Sequence, residues 1–303
     1  MTKKYGKMVA VNEMNLSVQR QTVFGLVGEN GAGKTTALSI LATLSTPTSG
    51  YAYINGYEVS RHPRDVRRSI GYMPDSFGVY DDLTVMEYLR FFADCYDVDR
   101  RVVKSRADDL LERVNLTDKR DTYVNALSRG MQQRLEIARC LMHDPDVLIL
   151  DEPASGLDPR SRLEMRGVLH GLRDLGKTIL ISTHILHELA EVADEIGILR
   201  GGELVAVAAI QVMLQHSSAY RTIEFNTNDP DDLVERVLAG DRQVLQVERI
   251  ASGWEILYGG TQGQQATLLT RMIEAGITLT QFAERPTDIE QLFLRLSRVQ
   301  EGK

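Results

Sequence analysis

The run TVFGLVGENGAGKTTALSILATL, residues 22–44, limits what this chain can fold into more than any other stretch. A short apolar strand over 23–27 enters a glycine-rich turn, and a helical apolar pattern starts at Lys34. Inside it stands Gly28-x-x-x-x-Gly33-Lys34-Thr35, the phosphate-binding loop, in the strand-to-helix setting that the motif requires. Glycines let the backbone wrap closely with its N–H groups turned inward, and the helix N-terminus adds positive partial charge. Lys34 is then expected to reach the β- and γ-phosphates, and Thr35 to offer its hydroxyl to magnesium. Such a cradle selects triphosphates and commits the chain to an α/β fold.

A second apolar strand ends in acid. VLILDEPASGLD, residues 147–158, places Asp151 and Glu152 at the C-terminal end of a buried parallel strand, where carboxylates are costly unless they face a cation or a reacting water. Asp151 is the candidate magnesium support and Glu152 the candidate general base; Asp151 as a simple turn cap is the plainer alternative. TILISTH, residues 178–184, is a third buried strand ending in a polar group. His184 would open at the same sheet edge, where open α/β folds place their ligands.

Composition agrees with an ordinary globular enzyme. At 303 residues, 43% hydrophobic and 25% charged, the chain has room for two domains and a sizeable core. The net charge of −7 gives no overall basic footprint, so no nucleic-acid partner is expected. Cys95 and Cys140 form no C-x-x-C pair, which argues against a disulfide framework or zinc site and for a reducing cytoplasm. No N-terminal stretch has the pattern of a secretory leader. The longest apolar run, LVAVAAIQVML at 204–214, is broken by Gln211 and is shorter than the roughly 20 residues a spanning helix needs.

LSRGMQQRL, residues 127–135, is a loop turning into an amphipathic helix, with a hydroxyl and a glycine at the helix's positive end. With this segment in place the chain resembles the nucleotide-binding subunit of an ATP-binding-cassette (ABC) transporter, in the ABC-2 or multidrug-type exporter branch that serves separate six-helix permeases. Residues 28–35 are similar to Walker A, 127–131 to the signature, 147–152 to Walker B and 155–158 to the D-loop, with His184 as the switch histidine. Tyr5, in KKYGK, is similar to the aromatic that stacks on adenine. The resemblance covers residues 5 to about 205.

It implies an α/β ABC-type phosphate-loop ATPase over residues 1–216, with a helical subdomain at about 78–142. It further implies a head-to-tail dimer, formed with a second ATPase subunit (homomeric as the first expectation), that powers export through a separate membrane permease. The chain would then sit in the cytoplasm, peripheral on the inner face of the membrane. ATP would be bound by Tyr5, Gly28, Asn30, Gly31, Gly33, Lys34, Thr35 and Thr36 of one copy. Ser128, Gly130 and Asp158 would close over it from the other copy. Catalysis would fall to Glu152, His184 and Lys34, and magnesium to Thr35, Asp151 and Asp75. Ser128 also suits a helix N-cap, and both roles are compatible.

Two positions depart from the family pattern. The signature is usually LSGGQ, whereas Arg129 and Met131 stand in its third and fifth places here. After Pro74 the family usually has a glutamine that touches magnesium and the attacking water, and here it is Asp75. Family members also carry a strand ahead of the Tyr5 segment, which leaves either a short antiparallel edge or a late start to this sequence.

Between the two halves of the site, LTVMEYLRFFADCY opens on a capping box, Thr84-x-x-Glu87, with Leu83, Met86, Leu89, Phe91 and Phe92 as candidate subdomain core. VVKSRADDLLERVNL supplies a second helix. By resemblance Phe77, Val79 and Tyr80 are weighed as permease contacts against local packing. Residues 220–303 read as strand, helix, two strands, helix and strand, the order of a small ferredoxin-like α+β domain with an accessory or regulatory role, followed by a final helix at 286–298. The rival functions are a non-transport ATPase of the same fold acting on a macromolecular partner, and a phosphotransferase. The second leaves LSRGMQQRL without a purpose.

Overall fold

The computed structural model describes residues 1–76, 78, 82–189, 192–212 and 220–285. The expected contacts Phe77, Val79 and Tyr80, and the expected final helix at 286–298, lie outside the described residues. Two compact units divide the chain, Met1–Ile210 and Gln211–Lys303.

In the first unit every residue of β3 (Val23–Val27) is buried, as a central parallel strand covered on both faces must be. β3 lies between β8 (Thr178–Thr183) and β9 (Glu195–Arg200), and β8 continues through β7 (Val147–Asp151) to β6 (Ile70–Met73), all in parallel. β10 (Glu203–Ala209) closes the other edge antiparallel to β9. Its alternating exposure marks a strand wet on one face, in contrast to the wholly apolar central strands. A short antiparallel pair, β1 (Lys3–Tyr5) and β2 (Met8–Val11), stands apart from this sheet.

The phosphate-loop helix α1 (Lys34–Leu41) is held by Ala37, Leu38 and Ile40 in a core shared with Phe24, Leu26 and Ile149. Its N-terminus therefore stands at the C-terminal edge of the parallel strands. A small hairpin, β4 (Tyr53–Ile54) with β5 (Tyr57–Glu58), and a short helix, α2 (Pro63–Ser69), lead into β6.

Three helices form the intervening layer: α3 (Val85–Cys95), α4 (Arg100–Arg113) and α5 (Arg129–Leu141). The capping box at Thr84 and Glu87 is present with both of its hydrogen bonds. Met86 and Leu89 are buried, but Phe91 is 42% exposed. At that point the helical face turns outward, so Phe91 does not join the core. Glu136 is buried and satisfied by two partners, the Tyr88 hydroxyl from α3 and Arg139 Nε at 2.7 Å. Arg139 also donates to the carbonyl of Tyr72 at 2.6 Å, which ties α5 to the end of β6.

In the second unit four antiparallel strands take the order β12 (Val244–Ile250), β13 (Gly253–Tyr258), β11 (Arg221–Thr227), β14 (Leu279–Arg285). Two helices, Asp231–Ala239 and Gln262–Glu274, contribute Val234, Leu238, Leu268 and Met272 to a core with Phe225, Trp254 and Tyr258. Among the described residues no helix is long and apolar enough to cross a membrane.

Candidate active site

The loop after β3 is shaped by close backbone contacts. A Cβ on Gly33 would collide with the carbonyl oxygen of Ala10, and its φ of 106° lies in the left-handed region that glycine tolerates. Gly33 is the N-cap of α1, no side chain caps that helix, and its first turn holds no acid. The first N–H groups of α1 are thus left for a ligand. Asn30 and Gly31 are exposed on the loop, and Thr35 and Thr36 follow Lys34 into the first turn of the helix.

Lys34 is buried, and its ammonium donates to the carbonyl of Gly28 at 2.5 Å and of Glu29 at 3.3 Å. It also stands 3.4 Å from Glu152 Oε1. The lysine curls back across its own loop and rests on the second acidic residue of β7's end. Glu152 has φ 51°, an uncommon conformation for a non-glycine residue, and its N–H is held by Ser182 Oγ at 3.0 Å. This turn points the carboxylate at Lys34 on one side and at His184 on the other, with His184 Nδ1 2.8 Å from Glu152 Oε2. The sequence-predicted trio Lys34, Glu152 and His184 is therefore one contiguous cluster.

Asp151 is fully buried beside it. Burial pushes its carboxyl above the usual range, the Ser182 and Thr35 hydroxyls pull it back, and the charges of Asp75 and Glu152 push it up again. Ser182 Oγ donates to Asp151 Oδ1 at 2.5 Å, whereas Oδ2 is buried without a partner. An orphaned carboxylate oxygen, a threonine hydroxyl at the helix start and a second acid form an all-oxygen set, which fits a magnesium ion. Asp75 is exposed after β6, and the influence of its charge on Asp151 and Tyr72 brings it electrostatically to this edge.

The remaining predicted residues form a separate cluster. Ser128 is the N-cap of α5 and accepts from the N–H of Met131 at 3.4 Å. Gly130 lies against Ser161, where a Cβ would come within 2.8 Å of that side chain. Asp158 caps α6 (Pro159–Asp174), accepting from the N–H groups of Arg160 and Ser161, each at 3.0 Å, and from Ser161 Oγ at 2.7 Å. The Ser161 hydroxyl, then the capping N–H groups, hold its carboxyl below the ordinary range. Among the described residues no hydrogen bond or ion pair links Ser128, Gly130 or Asp158 to residues 28–36. Tyr5 is likewise apart, exposed at the β1–β2 turn with Lys3 Nζ 4.9 Å above its ring.

Sequence reasoning missed two contributors. Ser182 bridges Asp151 and Glu152, and only its place in β8, two residues before His184, hinted at this. Gln133, buried on α5, donates to the carbonyl of Ser155 at 3.1 Å and so joins the helix of the second cluster to the loop that follows Glu152.

A parallel sheet with a phosphate loop, a buried aspartate and an adjoining glutamate defines a phosphate-loop nucleoside triphosphatase. Known proteins narrow this. The family described as ABC transporter matches residues 11–155. The Nod factor export ATP-binding protein I of Ralstonia nicotianae is 33% identical over 300 residues, covering 97% of this chain and 91% of that protein. The bacitracin transport ATP-binding protein BcrA of Bacillus licheniformis is 33% identical over 297 residues, covering 98% and 95%. Among solved structures, a dimeric post-hydrolysis ATP-binding cassette bound to ADP and Pi aligns with a TM-score of 0.62 at 26% identity, over 69% of this chain and 95% of that one. The chain belongs to the ABC transporter family, as one of its ATP-binding and ATP-hydrolysing subunits.

Proposed function

We propose that this subunit powers export of a substrate through a separate membrane permease, from the cytoplasmic face, and that it does so as a head-to-tail pair. One observation carries the pairing: the chain holds two clusters suited to phosphate, and among the described residues no hydrogen bond or ion pair joins Ser128 or Gly130 directly to the loop of residues 28–36. Each nucleotide would lie between the cradle of one copy and the Ser128–Gly130 lid of the other. The exporter assignment leans on the names of the two relatives, both transport or export ATP-binding proteins.

In this reading, Lys34 leaves its loop carbonyls for the β- and γ-phosphates as ATP enters, and the free N–H groups of α1 orient the same oxygens. Thr35, Asp151 and Asp75 would hold magnesium, which would supply positive charge to offset that of the triphosphate. Glu152, released from Lys34, takes a proton from the attacking water, and His184 holds the glutamate's other oxygen in place. Asp158, besides capping α6, reaches toward the partner's loop, and Tyr5 supports the adenine. The C-terminal unit is a ferredoxin-like module, a reading supported by its strand order and its two helices, and its role is accessory or regulatory.

Light scattering on Glu152→Gln with ATP tests the pairing: the variant binds ATP, dimerises and barely hydrolyses it. A monomer at saturating ATP sinks the reading. Tagged protein recovered from native membranes should bring a multi-span partner with it, and recovery without one removes the transport role.

A further inference from the structure

We propose that Arg129, which replaces a glycine of the usual signature, is a cationic ligand for the γ-phosphate of the nucleotide held by the second subunit. The inference rests on the paired reading above and adds a charged contact to the serine and glycine of the lid.

Three observations carry it. First, α5 holds three arginines, and two of them are committed inside the chain. Arg134 pairs with Glu164 at 3.0 Å and donates to the Val114 carbonyl at 2.9 Å. Arg139 pairs with Glu136 and donates to the Tyr72 carbonyl. Arg129 is exposed and makes no ion pair among the described residues. Second, Arg129 is the first residue of α5, where no acid offsets it and the aligned N–H groups already present positive potential. A cation there opposes the helix dipole, so its placement does not serve the helix. Third, its guanidinium lies over Gly156, within 2.8–2.9 Å of where a Cβ would stand, and Gly156 has φ +67°. A glycine at 156 therefore gives the guanidinium a flat seat on the exposed surface of the 155–158 loop, beside Ser128 and Gly130. The seat holds the charge at the lid without neutralising it.

A guanidinium at this place can meet two phosphate oxygens in a fork that an ammonium cannot reproduce, and charge-assisted bonds of this type are roughly twice as strong as neutral ones. An arginine supplied in trans to a phosphoryl group is a recurring device of phosphate-loop enzymes.

The test uses the full chain carrying Glu152→Gln, so that ATP persists. Dimer formation is followed by light scattering as ATP·Mg2+ is raised, with Arg129→Ala or Arg129→Lys added to that background. The Ala variant should need about tenfold more ATP or greater for half-maximal pairing, with Lys recovering part of the loss. Binding of a fluorescent ATP analogue to dilute single subunits, and the melting temperature without nucleotide, should stay within error, because neither depends on a ligand in the partner. Equal pairing with and without Arg129 overturns the proposal. So does a loss of pairing that tracks a fall in nucleotide-free melting temperature, since that marks a purely structural arginine. If the Glu152→Gln parent itself stays monomeric at saturating ATP, the paired reading falls and the role of Arg129 with it; if the parent pairs and the Ala variant pairs equally well, the reading stands and only Arg129 is dismissed.

Discussion

Two helices in this subunit carry a glycine at the N-terminal end, Gly33 as the cap of α1 and Gly130 in the first turn of α5, and they begin in opposite ways. α1 starts inside a fold of its own backbone, uncapped, with a buried lysine lying across the loop and anchored by Glu152. α5 starts on the surface, capped by Ser128, with an arginine that makes no ion pair among the described residues and a glycine packed against the neighbouring helix. The first arrangement is complete and waits for a ligand to displace an internal partner. The second has satisfied its backbone and left its charge outward. The same helix-terminus electrostatics therefore serves a receptor in one place and a donor to another molecule in the other.

The largest expected effect separates them. Lys34→Ala removes the one ammonium that pairs with Glu152 among the described residues, and should cost a hundredfold or more, roughly, in hydrolysis and abolish binding by single subunits. Ser128→Ala should leave single-subunit binding intact, lower hydrolysis by about tenfold and destabilise the fold by about 1 kcal/mol through the lost cap. Isothermal titration beside ATPase assays checks both, and equal loss of binding in the two variants breaks the comparison.

A smaller effect concerns the acid behind the cradle. The raised pKa of Asp151 means that the native chain binds this proton more tightly than the unfolded chain does, so its contribution to stability falls as pH rises through the interval above 3.8. Asp151→Asn should therefore stabilise the metal-free protein near neutral pH. The gain should vanish below the ordinary carboxylate range, and the variant should lose stabilisation by Mg2+ with nucleotide. Thermal melts across pH would show this, and a destabilised Asn variant would mean that the carboxylate is satisfied by the protein alone. Smallest is Asp75→Gln, which removes one charge that presses on Asp151. ATP binding should hold while turnover rises a few-fold, and unchanged turnover takes Asp75 out of the mechanism.

The cradle was legible because its residues are consecutive: strand, glycines, lysine and helix are one local unit. The acidic strand end was legible for the same reason, and so were the caps at Thr84, Ser128 and Asp158. What the sequence hid depends on strand order. β8 pairs with β3 on one side and with β7 on the other, and the β7 pairing sets Ser182 opposite Asp151 and so against both Asp151 and Glu152. Periodicity does not report which strands become neighbours. The exposure of Phe91 was hidden likewise, because its helical position reads as apolar but what covers that face comes from elsewhere. Gln133 reads as one more polar residue on an amphipathic helix, and only its burial against Ser155 distinguishes it.

That buried amide has a consequence for how two ATP molecules are counted. Gln133 fastens the helix that carries Ser128 to the peptide three residues after Glu152, and Ser155 in turn bonds back to the Glu152 carbonyl at 3.0 Å. In a symmetric pair, the phosphate touched by a subunit's α5 and the water faced by its Glu152 belong to different nucleotides. Filling one site thus sets the attitude of the base in the other, and turnover should rise with ATP more steeply than a single-site hyperbola.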